Sequence, residues 1–286
     1  MLLFNGQPVK TGKFPNQETY VDIPNLNDFG KNDPQVVTMR FEGNDDIINL
    51  VLFVSHLQEL GFKNLELESP FFPYSTMDHT DKGKTRPLSL RYIADIINGL
   101  NFERVTIWEP HSAVTSALVR HLIEKEGTIQ VEKRAEEDLL AEGFRPEEII
   151  LVCPDNGAFK RYRGRFPGHR VVVLDKVRDF STGDFAGETI IVGGEQFLEN
   201  AKAAIIIDDL CRAGRTFINA GELLRGRGIT RVVLAVTHLE NTAYDVMEAG
   251  KLSILTAPEV DDVYATDSCY TRPLVEKIHI LNCEET

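Results

Sequence analysis

The sequence predicts an α/β protein of two domains with mainly parallel sheets, and three observations carry that expectation. Short apolar runs alternate with helix-period stretches through both halves of the chain. The runs are rich in Val and Ile and bounded by polar residues, as in strands covered on both faces. Acids or a histidine stand repeatedly where such a run ends, which is where open α/β sheets bind ligands.

At 286 residues the chain is long enough for two ordinary domains. Its net charge of -13 argues against a nucleic-acid coat or an anionic membrane surface as partner, so anionic ligands must be met by local positive clusters. No apolar run approaches membrane-spanning length. Cys153, Cys211, Cys269 and Cys283 are widely separated, with no CxxC pair and no secretory signal ahead of them. A reduced, cytoplasmic setting is the simplest account, and neither a zinc knuckle nor a disulfide framework is suggested.

In the first half, strands are expected at Met1 to Phe4, Val36 to Phe41, from Leu65, and at Val105 to Trp108. Helices are expected at Asp45 to Leu60, with Ile47, Ile48, Val51, Leu52 and Leu57 on the apolar side, at Ser89 to Leu100, and from Ala113 to Lys125. The charged stretch Glu124 to Glu142 reads as the joint between domains spanning 1–130 and 131–286, although helix-like Glu136 to Leu140 belongs with the second. Strands follow at Ile149 to Val152, Val171 to Leu174, Thr189 to Val192, Ala203 to Ile207, Val232 to Val236, Leu252 to Leu255 and Ile278 to Leu281.

The run Ala203 to Thr216 organises the rest. Five apolar residues stop at Asp208 and Asp209, pass through Leu210-Cys211-Arg212-Ala213-Gly214-Arg215-Thr216, and give way to a helix carrying Phe217, Ala220, Leu223 and Leu224. A loop that opens a helix offers backbone N–H groups to an anion, and Gly214 lets the main chain approach closely. The two acids would repel that anion and suit vicinal hydroxyls or a divalent metal instead. Together they fit a sugar phosphate; an acid pair that only caps the following helix is the plainer reading.

Other strand ends carry candidates. His111 follows Glu109-Pro110, Asp155 stands in Cys153-Pro154-Asp155-Asn156-Gly157, and Lys176 and Arg178 leave a strand toward Phe180 to Asp184, which suggests a mobile basic loop. Lys82, Lys84 and Arg86 fit either a solvated loop or a triphosphate cradle.

Taken in order, these landmarks resemble the ribose-phosphate pyrophosphokinase (PRPP synthetase) family over nearly the whole chain. The resemblance implies two tandem type I phosphoribosyltransferase-type domains, of which only the second keeps the sugar-phosphate loop. Phe14-Pro15-Asn16-Gln17-Glu18 stands at the family's F-x-D/N-G-E, implying that Phe14, Asn16 and Glu18 hold the adenine of ATP from a neighbouring subunit. Pro70 to Asp78 resembles P-Y-x-x-Y-A/S-R-Q-D, with the ATP-side Tyr74 and Asp78 kept. Glu109-Pro110-His111 stands at D-L-H, making His111 the expected phosphate and Mg2+-side ligand. Asp155 falls at the metal-site acid of S-P-D-x-G, Lys176 and Arg178 at the catalytic cations of D-K-R/K-R, and Thr237-His238 at a late T-H.

The reaction so implied moves the β,γ-diphosphoryl group of ATP to the anomeric hydroxyl of a ribose and releases AMP, with Mg2+ on the triphosphate. Asp208 and Asp209 would hold the 2- and 3-hydroxyls, and Arg212, Ala213, Gly214, Arg215 and Thr216 the 5-phosphate. Family members assemble as dimers or hexamers with shared sites, so a homo-oligomer is expected.

Two departures bear on the substrate. Thr76 and Met77 stand where the family has Arg and Gln, and Lys84 or Arg86 is the candidate replacement. In the sugar loop the family's acid, Thr, Gly, Gly, Thr is here Arg212, Ala213, Gly214, Arg215, Thr216. Arginine forks suit a diphosphate that continues outward, which makes ADP-ribose the favoured acceptor and NAD metabolism the setting. ADP-ribose-using relatives from phage NAD-rebuilding pathways resemble altered PRPP synthetases. The alternatives are an ordinary PRPP synthetase using ribose 5-phosphate, a PRPP-consuming phosphoribosyltransferase, and a non-catalytic associated subunit.

Overall fold

The computed structural model describes residues 1–80, 83, 85–178 and 185–283, with the side chains of residues 177–178 and 185–188 outside that description. The chain forms two compact units, Met1–Lys125 and Glu126–Thr286. Most of the charged stretch Glu124 to Glu142 is a helix, Gly127–Ala141, whose Val131, Ala135 and Leu139 pack into the second unit.

The first unit contains strands β1 (Leu2–Phe4), β2 (Gln7–Pro8), β3 (Lys10–Lys13), β4 (Thr19–Asp22), β5 (Gln35–Met39), β6 (Leu65–Ser69), β7 (Arg104–Trp108) and β8 (Leu122–Lys125). Its helices are α1 (Asn44–Glu59), α2 (Ser89–Gly99) and α3 (Ala113–Leu118). One sheet runs β2-β1-β5-β6-β7-β8, parallel from β5 to β8 and antiparallel around β1; β3 and β4 form a separate hairpin.

Helix α1 buries Leu50, Phe53, Val54 and Leu57 at three- and four-residue spacing. That stripe turns Ile48 and Leu52, expected on the apolar side, out to solvent. The helix expected from Ala113 to Lys125 stops after Leu118. Val119 is extended and the main chain turns at His121, which has a positive φ of 53°. Asn98 accepts from the Arg120 N–H at 2.9 Å, and the His121 carbonyl accepts from Val105 at 3.0 Å, so tertiary contacts redirect the segment into the edge strand β8.

The second unit contains strands β9 (Ile149–Cys153), β10 (Val171–Arg178), β11 (Phe185–Gly193), β12 (Ala203–Cys211), β13 (Arg231–Leu239), β14 (Asp262–Thr266) and β15 (Ile278–Leu281). Its helices are α4 (Gly127–Ala141), α5 (Asn156–Tyr162), α6 (Arg215–Gly226) and α7 (Thr242–Glu248). The sheet order is β11-β10-β9-β12-β13-β14-β15, parallel except for β11. The first five residues of β12 are all apolar because they are covered twice: Ala204 and Ile206 enter one core, Ala203, Ile205 and Ile207 the other.

Three local expectations change. Strand β12 continues through Asp208 and Asp209 to Cys211, paired with β13 as far as Leu239. Antiparallel pairing with β11 likewise carries β10 through Lys176 and Arg178, so these cations lie on a strand and not in a loop beyond it. The segment Leu252 to Leu255 is no strand: Ile254 donates to the Ala213 carbonyl at 2.9 Å and Ser253 Oγ to the Ala243 carbonyl at 2.6 Å, pinning it in turns against the 212–216 loop. Among the described residues no helix is long and apolar enough to cross a membrane.

Candidate active site

The parallel strands of the second unit deliver Cys153, Asp175, Asp208 and Leu239 toward their carboxyl ends, where α/β sheets place ligands. Asp155 caps α5, one carboxylate oxygen accepting from the N–H groups of Gly157 (2.9 Å) and Ala158 (3.0 Å). Its other oxygen lies 3.6 Å from Lys176 Nζ. Asp175 accepts from Asn156 Nδ2 and from the Lys176 N–H, which fixes the stem from which Lys176 projects.

Asp208 and Asp209 share one counter-ion that sequence reasoning missed. Arg161, on α5, donates through Nη1 to Asp208 Oδ1 at 3.0 Å and also to Asp209 Oδ1. The Asp209 side chain is only 4% exposed, whereas Asp208 keeps 16%, so Asp208 is the member of the pair with an opening for a ligand. Burial, then the charge of Asp209, pushes the Asp208 carboxyl well above the carboxylate range against the opposing pull of Arg161. Burial would lower the Arg161 guanidinium, but Asp209 first among its neighbours holds it raised. Two acids facing one cation leave a negative site that a proton, a sugar hydroxyl or a metal ion can satisfy.

The same strand end is buttressed from α4. Thr128 Oγ1 lies 3.2 Å from the Asp208 carbonyl oxygen, 2.9 Å from the Tyr162 hydroxyl and 2.8 Å from Thr237 Oγ1. Gly127 is needed there, because a Cβ would sit 2.5 Å from Thr237 Cγ2. Arg161 carried a sequence signal, since two adjacent acids ending an apolar strand require a cation. Thr128 carried none, because its role depends on helix α4 crossing the sheet.

The 212–216 loop has the build of an anion cup. Gly214 adopts a positive φ of 88°, and a Cβ there would come within 2.4 Å of Ile254 Cβ, so conformation and space both select glycine. Helix α6 then opens at Arg215 with no side-chain cap. The N–H groups of such a first turn are available to an anion. Ala213 is tied by its carbonyl to Ile254, and Thr216 is half-buried in the first turn of α6. Arg212 Nε donates to Glu240 Oε1 at 3.0 Å, while Arg215 is exposed and forms no ion pair among the described residues.

In the first unit the carboxyl ends of β6 and β7 lead to Asp78 and His111. Asp78 hydrogen-bonds to Ser112 and lies 2.8 Å from His79 Nδ1. Burial would raise its carboxyl, but those bonds and the nearby His111 outweigh it and hold it below the usual range. Tyr74, at a positive φ of 61°, donates its hydroxyl to Asn44 Oδ1 at 2.8 Å.

Phe14 is 52% exposed at the tip of the β3–β4 hairpin, with its ring 5.0 Å from that of Tyr20. The tip is closed by the Phe14 N–H to the Glu18 carbonyl at 2.8 Å and by Asn16 Oδ1 accepting from the Glu18 N–H at 3.2 Å. An aromatic face presented this way suits stacking on a base. Arg86 is exposed. Lys84, the side chain of Arg178 and the segment Phe180 to Asp184 lie outside the described residues.

For Mg2+, Asp155 offers a carboxylate oxygen not used in capping. One carboxylate with waters and substrate phosphates is an ordinary Mg2+ arrangement, so the residue fits the ion.

The fold and the two strand-end sites define a protein of tandem phosphoribosyltransferase-type α/β domains. No family model matches the chain. It is 25% identical over 241 residues to a ribose-phosphate pyrophosphokinase of Thermotoga maritima, covering 84% of this chain and 72% of that protein. A ribose-phosphate pyrophosphokinase of Rhizobium meliloti is 24% identical over 269 residues, covering 93% of this chain and 81% of its own. The fold matches the crystal structure of phosphoribosylpyrophosphate synthetase from Mycobacterium smegmatis with a TM-score of 0.72 at 18% identity, over 96% of this chain and 86% of that one. The chain is thus similar to ribose-phosphate pyrophosphokinases over most of its length and shares the fold of a phosphoribosylpyrophosphate synthetase.

Proposed function

We propose that the protein is a Mg2+-dependent diphosphotransferase that moves the β,γ-diphosphoryl group of ATP to the C1 hydroxyl of a 5-phosphorylated ribose and releases AMP. The observation that carries this reading is the strand-end group of the second unit, where Asp208 faces Arg161, Lys176 neighbours Asp155, and Gly214 opens α6. It is supported by the family relationship.

In this reading Asp208 accepts from the ribose 2- or 3-hydroxyl, and Asp209, locked to Arg161, fixes where Asp208 stands. The anomeric oxygen bonds to the β-phosphorus as the bond from that phosphorus to the α,β-bridging oxygen breaks, and the hydroxyl proton passes to solvent. Lys176, with Arg178 expected beside it, meets charge developing on the transferred group. Mg2+ held at Asp155 and on the phosphates, with His111 on the phosphate side, would neutralise the triphosphate. Phe14, Asn16 and Glu18 would receive adenine from a second copy, with Tyr74, Asp78, Lys84 and Arg86 on the ATP side, which makes the working form a homo-oligomer.

Ribose 5-phosphate is the acceptor that the family relationship favours. ADP-ribose is a second reading, favoured by the exposed Arg215 at the start of α6, whose guanidinium suits a further phosphate. The test is AMP release from ATP and Mg2+ with each sugar in turn. Activity with ribose 5-phosphate and little with ADP-ribose selects the first acceptor, the reverse selects the second, and none with either overturns the proposal.

A further inference from the structure

We propose that Glu132, Glu136 and His169 form a binding site for a divalent transition-metal ion of the Zn2+ class in the second unit, a residue set separate from the diphosphotransfer machinery and independent of that reading. Glu132 and Glu136 stand one turn apart on α4 and so share a face. His169 follows Gly168, at φ 88°, in the connection between α5 and β10.

The donor atoms are already assembled. One ligand atom from each residue lies within 4.8 Å of the other two. His169 Nε2 is 3.4 Å from Glu132 Oε1 and 3.5 Å from Glu136 Oε1. Those separations are long for hydrogen bonds. They match a tetrahedral ion, whose ligands at about 2.05 Å stand about 3.4 Å apart. The ring of Phe166 packs edge-on against His169, with centroids 5.9 Å apart, and holds the imidazole plane.

The second observation concerns satisfaction. Glu132 is 3% exposed, yet its Oε1, aimed at His169 and Glu136, has no hydrogen-bond partner among the described residues, and neither has His169 Nδ1. A carboxylate oxygen held away from water with a second carboxylate beside it is costly unless a cation is supplied. Imidazole with two carboxylates suits Zn2+ or Mn2+ better than Mg2+, which takes an all-oxygen shell. A water would complete the tetrahedron.

The location gives the ion a consequence. It would tie α4 to the loop that follows α5. Helix α4 carries Thr128, which supports the Asp208 main chain, and α5 carries Arg161, which holds both acids. The ion would therefore brace the two helices that position the acid pair.

The test uses the full chain stripped with chelator and titrated with Co2+, read by visible absorption, followed by Zn2+ with native mass spectrometry. The expected result is one tetrahedral Co2+ equivalent displaced by Zn2+, retained in Asp155→Asn. In Glu132→Gln and His169→Ala, each checked for native circular dichroism, affinity should fall by roughly 100-fold or more, beyond the loss for an outer-shell partner. No tetrahedral signal in the unmutated chain, or unchanged titration in Glu132→Gln, overturns the site. A Glu132 that merely shares a proton with His169 gives that negative result.

Discussion

The two ends of the second sheet treat charge in opposite ways. At its amino end Glu148 faces two cations, Arg145 at 3.1 Å and Lys202 at 2.6 Å, and accepts from the Arg145 N–H. At its carboxyl end both acids, Asp208 and Asp209, pair with the same guanidinium, Arg161. The first arrangement satisfies itself and serves the fold. The second sets two neighbouring acids against a shared guanidinium, a like-charge pairing of the kind found where local consistency gives way to function. The first unit shows a milder version, with Asp78 stabilised by Ser112 and His79 at a partly open strand end.

Removing the counter-ions should separate the two ends most clearly. Arg161→Met removes the guanidinium that both buried acids pair with, and urea unfolding at neutral pH should show a loss of about 3–5 kcal/mol. Arg145→Ala removes a guanidinium that is 66% exposed and screened by water, and should cost far less. Equal losses would mean that the carboxyl end is no more frustrated than the amino end.

Much of this was legible in the sequence. The βαβ order, the acid pair, the glycine of the cup and the strand-end Asp155 all follow from patterns that depend on neighbours in the chain. What escaped depends on residues far apart in sequence. Arg161 reaches Asp208 and Asp209 across forty-odd positions, and Thr128 joins Asp208 and Thr237 across about a hundred. Leu252 to Leu255 reads as a strand because it is short and apolar, yet its hydrogen bonds go to Ala213 and Ala243 and tie it to the 212–216 loop. Val119 to Lys125 reads as helix because nothing local shows that Asn98 and Val105 claim its backbone.

The next contrast lies within the carboxyl end, between holding the substrate and acting on it. Lys176→Ala removes a cation that touches only Asp155 among the described ion pairs, so the fold should be nearly unchanged. Diphosphotransfer should fall by about 100- to 1,000-fold in kcat with KM for the sugar little altered, as for loss of one charge-stabilising donor. Unchanged turnover by Lys176→Ala would remove the basis for assigning it to the transition state.

The smallest effect is a pH slope whose sign differs between the two ends. Glu148 is held at about 2 against an ordinary 4.5, chiefly by its hydrogen bonds with Arg145 and Lys202. Its contribution is therefore complete above pH 4.5 and is withdrawn as pH falls toward 2, because the unfolded chain binds the proton first. Asp208 is raised, so the folded chain keeps its proton longer than the unfolded one, and stability drains as pH rises above the ordinary 3.8. Chemical denaturation followed across acid pH should thus show Glu148→Gln flattening the low-pH limb and Asp208→Asn flattening the decline on the high side. If both substitutions acted on the same limb, the opposition between the two ends would fail, and the acid pair would have to be read as an ordinary satisfied ion pair.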